Sequence, residues 1–127
     1  MTPMHKYHNP AFLDLVNDAK SRIREVGVEE LRRMLSARGQ ILLIDTREES
    51  EWAAGHAAGA LQLGKGIIER DIETLAPDKK QPIVLYCGGG FRSALAADAL
   101  QKMGYTGVAS LAGGWRDYLA AGLPVER

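Results

Sequence analysis

The chain is short of several things at once. Among 127 residues it has one cysteine, Cys87, and 16 basic residues are matched by 16 acidic ones. No apolar run approaches the length of a membrane-spanning helix. A lone cysteine excludes an internal disulfide and any paired-cysteine redox or zinc arrangement, so a group acquired by this thiol must leave to another molecule. Balanced charge gives no reason to expect nucleic acid or an anionic membrane as a partner, and any attraction for an anion must be local. The polar start MTPMHKYHNP lacks the apolar core of a signal peptide, so a cytoplasmic, reducing compartment is expected. His5 and His8 in that stretch have no partner motif, read as a solvated tail, and give no metal site.

What remains is the composition of one ordinary domain, 46% apolar and 25% charged. Asn9-Pro10 has the form of a helix start, and Phe12, Leu15, Val16, Ala19 and Ile23 follow as one apolar stripe. Residues 1–23 thus form a helical extension, packed on the domain 24–127 or pairing two copies of the chain. Arg22, Arg24, Arg32 and Arg33 read as exposed helix charge that offers a docking face to an acidic partner.

Further on, short apolar runs alternate with helical segments. An extended piece at Glu25-Val26 precedes a helix from Val28 to Ala37, closed by Gly39. Ile41-Leu42-Leu43-Ile44 is a strand covered on both faces, and Thr46 with Glu49 makes a capping box for the helix that carries Trp52. A weaker strand at 60–63, a helix from Ile67 to Leu75 and a turn at Pro77-Asp78 lead to the apolar run 82–86. A helix ended by Gly104, a last short strand at 107–109, and a helix from Trp115 to Ala121 complete the chain. The alternation predicts an α/β fold, a mostly parallel sheet with helices on both faces. Ligands of such sheets bind beyond the C-terminal strand ends, the edge where Asp45 and Cys87 fall.

Cys87 stands where a buried strand hands over to a helix, within Cys87-Gly88-Gly89-Gly90-Phe91-Arg92-Ser93. A free thiol, with a pKa of about 8.5, is mostly protonated at neutral pH, and only the thiolate is a good nucleophile. Glycine-rich backbone N–H groups, the positive end of a helix and Arg92 all favour the charged form. Three glycines in a row weaken any regular element, and a cation in a helix's first turn opposes the dipole unless an anion faces it. Such local inconsistency falls at functional sites.

Three segments together and in order resemble the rhodanese-like family. Asp45 to Trp52, through Gly55-His56 and Gly59-Ala60, resembles its first signature; Cys87 to Ser93 its catalytic loop; Gly113-Gly114-Trp115-Arg116 its C-terminal signature. The likeness runs from about Val26 to the C-terminus and leaves the first helix outside. It implies the family's three-layer α/β sandwich on a five-stranded sheet. It also implies a sulfurtransferase in which Cys87 carries a persulfide, with no cofactor beyond that covalent intermediate. The donor would be thiosulfate or a similar molecule, the anion would sit on the loop Gly88, Gly89, Gly90, Phe91 and Arg92, and Asp45 and Arg47 would border the pocket. A plain salt bridge, with the preference of a helix N-terminus for acidic groups, accounts for Asp45 and Arg47 equally well. Acceptors would be thiols such as glutathione or thioredoxin, or cyanide in the test tube. An alternative is a relay module loaded only by a protein donor, with the first helix as its docking element.

A phosphatase of the same fold fits less well. Four residues separate Cys87 from Arg92, as in the sulfurtransferases, whereas dual-specificity phosphatases carry one more, and the loop offers no carboxylate or histidine to protonate a leaving alkoxide. His56 is expected to tie down a turn, and Trp52, Trp115 and Tyr118 to serve as core or pocket wall. Ala57-Ala58 departs from the family's more usual Ile-Pro, and the loop has no cation besides Arg92.

Overall fold

The computed structural model describes residues 8–37 and 40–127. His5 and Gly39 lie outside the described residues. The elements in order are α1 (Pro10–Lys20), β1 (Arg24–Val26), α2 (Val28–Ser36), β2 (Leu42–Asp45), α3 (Glu49–Ala54), β3 (His56–Ala57) and β4 (Leu61–Gln62), then α4 (Ile68–Leu75), β5 (Ile83–Tyr86), α5 (Phe91–Lys102), β6 (Val108–Leu111), α6 (Gly114–Ala120) and β7 (Val125–Glu126). Five strands form one sheet in the order β1-β6-β5-β2-β4, with every pairing parallel.

Alternation along the central strand builds the layers, because successive side chains leave opposite faces of a sheet. Ile83 and Leu85 enter one core with Ile68, Ile72, Ala97 and Leu100 from α4 and α5. Val84 and Tyr86 enter the other with Leu31 and Tyr118 from α2 and α6. Both faces of β5 are therefore covered, which is why its sequence is an unbroken apolar run. The C-terminal ends of β2 and β5 are in register, Asp45 beside Tyr86, so the following residues emerge side by side.

Several boundaries differ from the sequence expectation. Thr46 caps no helix: its hydroxyl and its N–H both donate to the Tyr86 carbonyl, at 2.9 and 2.8 Å, tying the end of β2 to the end of β5. The N-cap of α3 is Glu48, whose N–H is accepted by the Glu51 carboxylate at 3.1 Å. A second, antiparallel sheet of β3 and β7 is new. Two-residue strands carry too little pattern to be read from sequence.

The first helix packs on the domain. Val16 and Ala19 are buried and α1 lies against α5, while Leu15, assigned to the same stripe, is 56% exposed. Arg22 is no free surface charge: it donates to both Asp98 oxygens, at 3.0 and 2.8 Å, and to Asp18 at 2.9 Å, clamping the end of α1 to α5. Arg24 sits in β1 and pairs with Glu30. Among the described residues no helix is long and apolar enough to cross a membrane.

Candidate active site

Cys87 follows directly on β5, and α5 begins four residues later at Phe91. The turn between them needs glycine where the backbone enters the left-handed region, at Gly90 (φ +96°), whose missing Cβ would also press on the Leu111 carbonyl oxygen at 3.2 Å. The loop closes over the sulfur. The N–H groups of Gly90 and Ser93 point at Cys87 Sγ from 3.1 and 3.4 Å, and the Ser93 hydroxyl lies 3.5 Å away. Ser93 Oγ in turn is 2.8 Å from Ser110 Oγ, from β6; both serines are fully buried.

Burial pushes the Cys87 thiol toward the neutral form, but the hydroxyl and N–H of Ser93 and the N–H groups of Gly90 and Gly89 outweigh it, so its pKa lies below the ordinary thiol value. The cradle is therefore suited to an anionic sulfur.

The third signature segment holds this loop from behind. The N–H groups of Trp115 and Arg116, in the first turn of α6, donate to the carbonyls of Cys87 and Gly88 at 2.7 and 3.2 Å. Gly114 is required by that approach: a Cβ there would overlap the Cys87 carbonyl oxygen.

Arg92 does meet an anion, supplied by the protein itself. Its guanidinium pairs with Glu51 of α3, at 3.0 and 3.2 Å, and this contact, with the nearby Cys87, raises its pKa further. Glu51 is held below the usual carboxylate range, chiefly by Arg92. The first signature thus reaches the loop through Glu51, for which the sequence alone suggests no role.

Of the two arrangements expected for Asp45 and Arg47, pocket border or salt bridge, the structure shows a buried ion pair. Arg47 donates to the Asp45 oxygens at 2.7–3.1 Å and to the Gly55 carbonyl at 2.7 Å, and lies over the Trp115 ring, 4.7 Å from its centroid. Asp45 also accepts from the Tyr86 hydroxyl at 2.7 Å. The cavity above Cys87 is lined instead by Cys87, Gly88, Gly89, Phe91 and Arg92, with Arg116 from α6 and His8 and Phe12 from the N-terminal segment. It measures about 720 Å³. His8 is thus no solvated tail. His56 holds a turn: its Nδ1 meets the Trp52 carbonyl at 3.0 Å and its ring stacks on Trp52. Among the described residues no His, Cys, Asp and Glu cluster could hold a metal ion.

A parallel sheet that ends in a cysteine cradled by backbone N–H groups at the start of a helix defines a class of anion-holding thiol sites. Residues 27–121 match the model of the rhodanese-like domain, and the chain belongs to that family. It is 33% identical over 103 residues to a sulfurtransferase of Allochromatium vinosum, covering 81% of this chain and 94% of that one. It is 35% identical over 74 residues to the thiosulfate sulfurtransferase PspE of Escherichia coli, covering 58% and 70%. A Rhodopseudomonas palustris structure of unknown function, described as a possible tyrosine phosphatase, superposes with a TM-score of 0.81 at 27% identity. That likeness covers 99% of this chain and 100% of the other, so it takes in α1, which precedes the matched family domain. The fold is the rhodanese-like α/β fold on a parallel five-stranded sheet.

Proposed function

We propose that the protein is a sulfurtransferase that moves sulfane sulfur from thiosulfate or a similar small donor to a thiol through a Cys87 persulfide. The Cys87 thiolate attacks the outer sulfur of thiosulfate, a sulfur–sulfur bond forms, and the donor's own sulfur–sulfur bond breaks with its electron pair leaving on sulfite. Cys87 then carries a persulfide whose terminal sulfur is anionic. An acceptor thiolate, such as that of glutathione or thioredoxin, attacks this sulfur and Cys87 leaves as thiolate.

The observation that carries this reading is the tight cradle, with two backbone N–H groups aimed at Sγ across a loop of only four residues before Arg92. A phosphoryl group needs a wider ring and an acid for its leaving group, and Glu51, the carboxylate that reaches the loop, is occupied by Arg92. No metal or bound cofactor enters these steps.

Intact-mass measurement after incubation with thiosulfate tests the proposal. The wild type should gain one sulfur atom and release sulfite, and Cys87→Ser should do neither. An unchanged mass together with Cys87-dependent hydrolysis of p-nitrophenyl phosphate would assign the cradle to phosphate.

A further inference from the structure

The cavity over Cys87 has a wall that the shared domain does not supply. His8 and Phe12 precede the matched span, yet both line the cavity beside Phe91, the residue next to Arg92. The three rings form one aromatic surface: His8 to Phe91 is 4.5 Å between centroids, His8 to Phe12 5.2 Å and Phe12 to Phe91 6.3 Å, all tilted. Val16, Ala19 and the Arg22–Asp98 pair anchor α1, which carries Phe12, on α5, which carries Phe91, and Lys20 Nζ lies 5.1 Å from the Phe91 ring centroid. The rest of the cavity lining is polar and cationic, with Cys87, Gly88, Gly89, Arg92 and Arg116.

Size and chemistry argue in the same direction. Cavities of about 300–1,000 Å³ hold molecules of drug size, and this one measures about 720 Å³. Thiosulfate has five heavy atoms and no apolar surface, so it would occupy the cationic end and leave the aromatic wall untouched. A flat apolar group on the donor would cover that wall by ring–ring contact while its anionic head stayed on the loop.

We infer that His8 and Phe12, with Phe91, are specificity-determining residues that select a sulfur donor carrying a flat apolar substituent on its sulfonyl end. The inference rests on the sulfurtransferase reading for its chemistry, and the step balances in the same way. The Cys87 thiolate takes the terminal sulfur of an arenethiosulfonate, the sulfur–sulfur bond breaks, and the arenesulfinate leaves with the electron pair.

Benzenethiosulfonate and thiosulfate serve as probes. The ratio of their kcat/KM values, measured as persulfide formation, should fall about fivefold in Phe12→Ala and in His8→Ala, the size of one aromatic contact. An unchanged ratio, with both donors equally affected or equally unaffected, overturns the assignment. His8 is exposed, so its removal leaves the fold intact even where Phe12→Ala loosens α1. Binding of benzenesulfonate to Cys87→Ser by calorimetry reads the wall without any chemistry, and Phe12→Ala in that background should weaken it about fivefold. Phe12-dependent binding to Cys87→Ser, together with a wild type that gains sulfur from neither donor, would leave the wall standing and refute the transfer; binding indifferent to Phe12 would refute the wall.

Discussion

Ser110 Oγ lies 2.8 Å from Ser93 Oγ, and Ser93 Oγ lies 3.5 Å from Cys87 Sγ, so a hydroxyl of β6 is coupled to the sulfur through a hydroxyl of α5. When the sulfur is ionised it can only accept, so Ser93 donates to it and receives the Ser110 proton on its free lone pair. Such a chain polarises the terminal donor and strengthens its bond to the anion. Ser110→Ala should therefore slow iodoacetamide alkylation of Cys87 at neutral pH by about threefold, and Ser93→Ala by about tenfold, as expected for loss of a hydrogen bond to a charged group. A positioning role predicts that the alkylation pH profile moves to higher pH in both variants. A purely structural role would lower the melting temperature and leave the profile in place.

The pH dependence of the wild type follows from the same contacts. Burial opposes ionisation, the Ser93, Gly90 and Gly89 donors favour it, and the pKa of Cys87 is lowered overall. Alkylation in the folded protein should persist below the ordinary thiol range, where the urea-unfolded chain has already lost reactivity. Because the folded-state value is the lower one, ionisation contributes stability that is fully present above the unfolded thiol pKa and is lost as pH falls through the folded one. The stability difference between wild type and Cys87→Ser, from urea melts across that range, should grow in favour of wild type as pH rises.

Glu51 both accepts from the Glu48 N–H and pairs with Arg92, which places a negative charge beside the cation expected to receive a donor anion. The pair is about one third exposed on both sides, at 35% and 38%, so it contributes only about 0–1 kcal/mol to stability. Its effect on a dianionic donor acts in the site itself. Glu51→Gln should lower KM for thiosulfate by about threefold at low salt, with the gain shrinking as ionic strength rises. A raised KM would mean that Glu51 holds Arg92 in its productive position.

The parts of this molecule that were legible in the sequence are those set by local pattern. The apolar run Ile83 to Tyr86 announces a strand covered on both faces, and the glycines after Cys87 announce a turn that only they can make. The contributors from distant elements were hidden. Ser110 has one visible sign, a hydroxyl beside the apolar strand expected at 107–109, and Glu51 is one of three glutamates between positions 48 and 51 with nothing local to single it out. His8 reaches the cavity because α1 folds back on α5, and no local rule encodes that packing. Asp45 and Arg47 were legible as a strand-edge pair but not as to which of two places they take: at 0% and 4% exposed they pair with each other, and neither lines the cavity over Cys87.

That inward pairing makes a last, opposite prediction. Asp45 accepts from Arg47 and from the Tyr86 hydroxyl, and each of the three is at most 4% exposed. A buried ion pair adds little over a well-packed apolar substitute, but removing one partner leaves the other's charge unpaired away from water, at a cost of about 3–5 kcal/mol. Asp45→Asn keeps the volume and one acceptor while stranding Arg47 and weakening the Tyr86 bond, so it should destabilise by about 3 kcal/mol in urea melts. Neither residue lines the cavity over Cys87, so the folded fraction of Asp45→Asn should alkylate and load sulfur at close to the wild-type rate. Loss of Cys87 reactivity with unchanged stability would instead give the pair a place in the chemistry, contrary to its geometry.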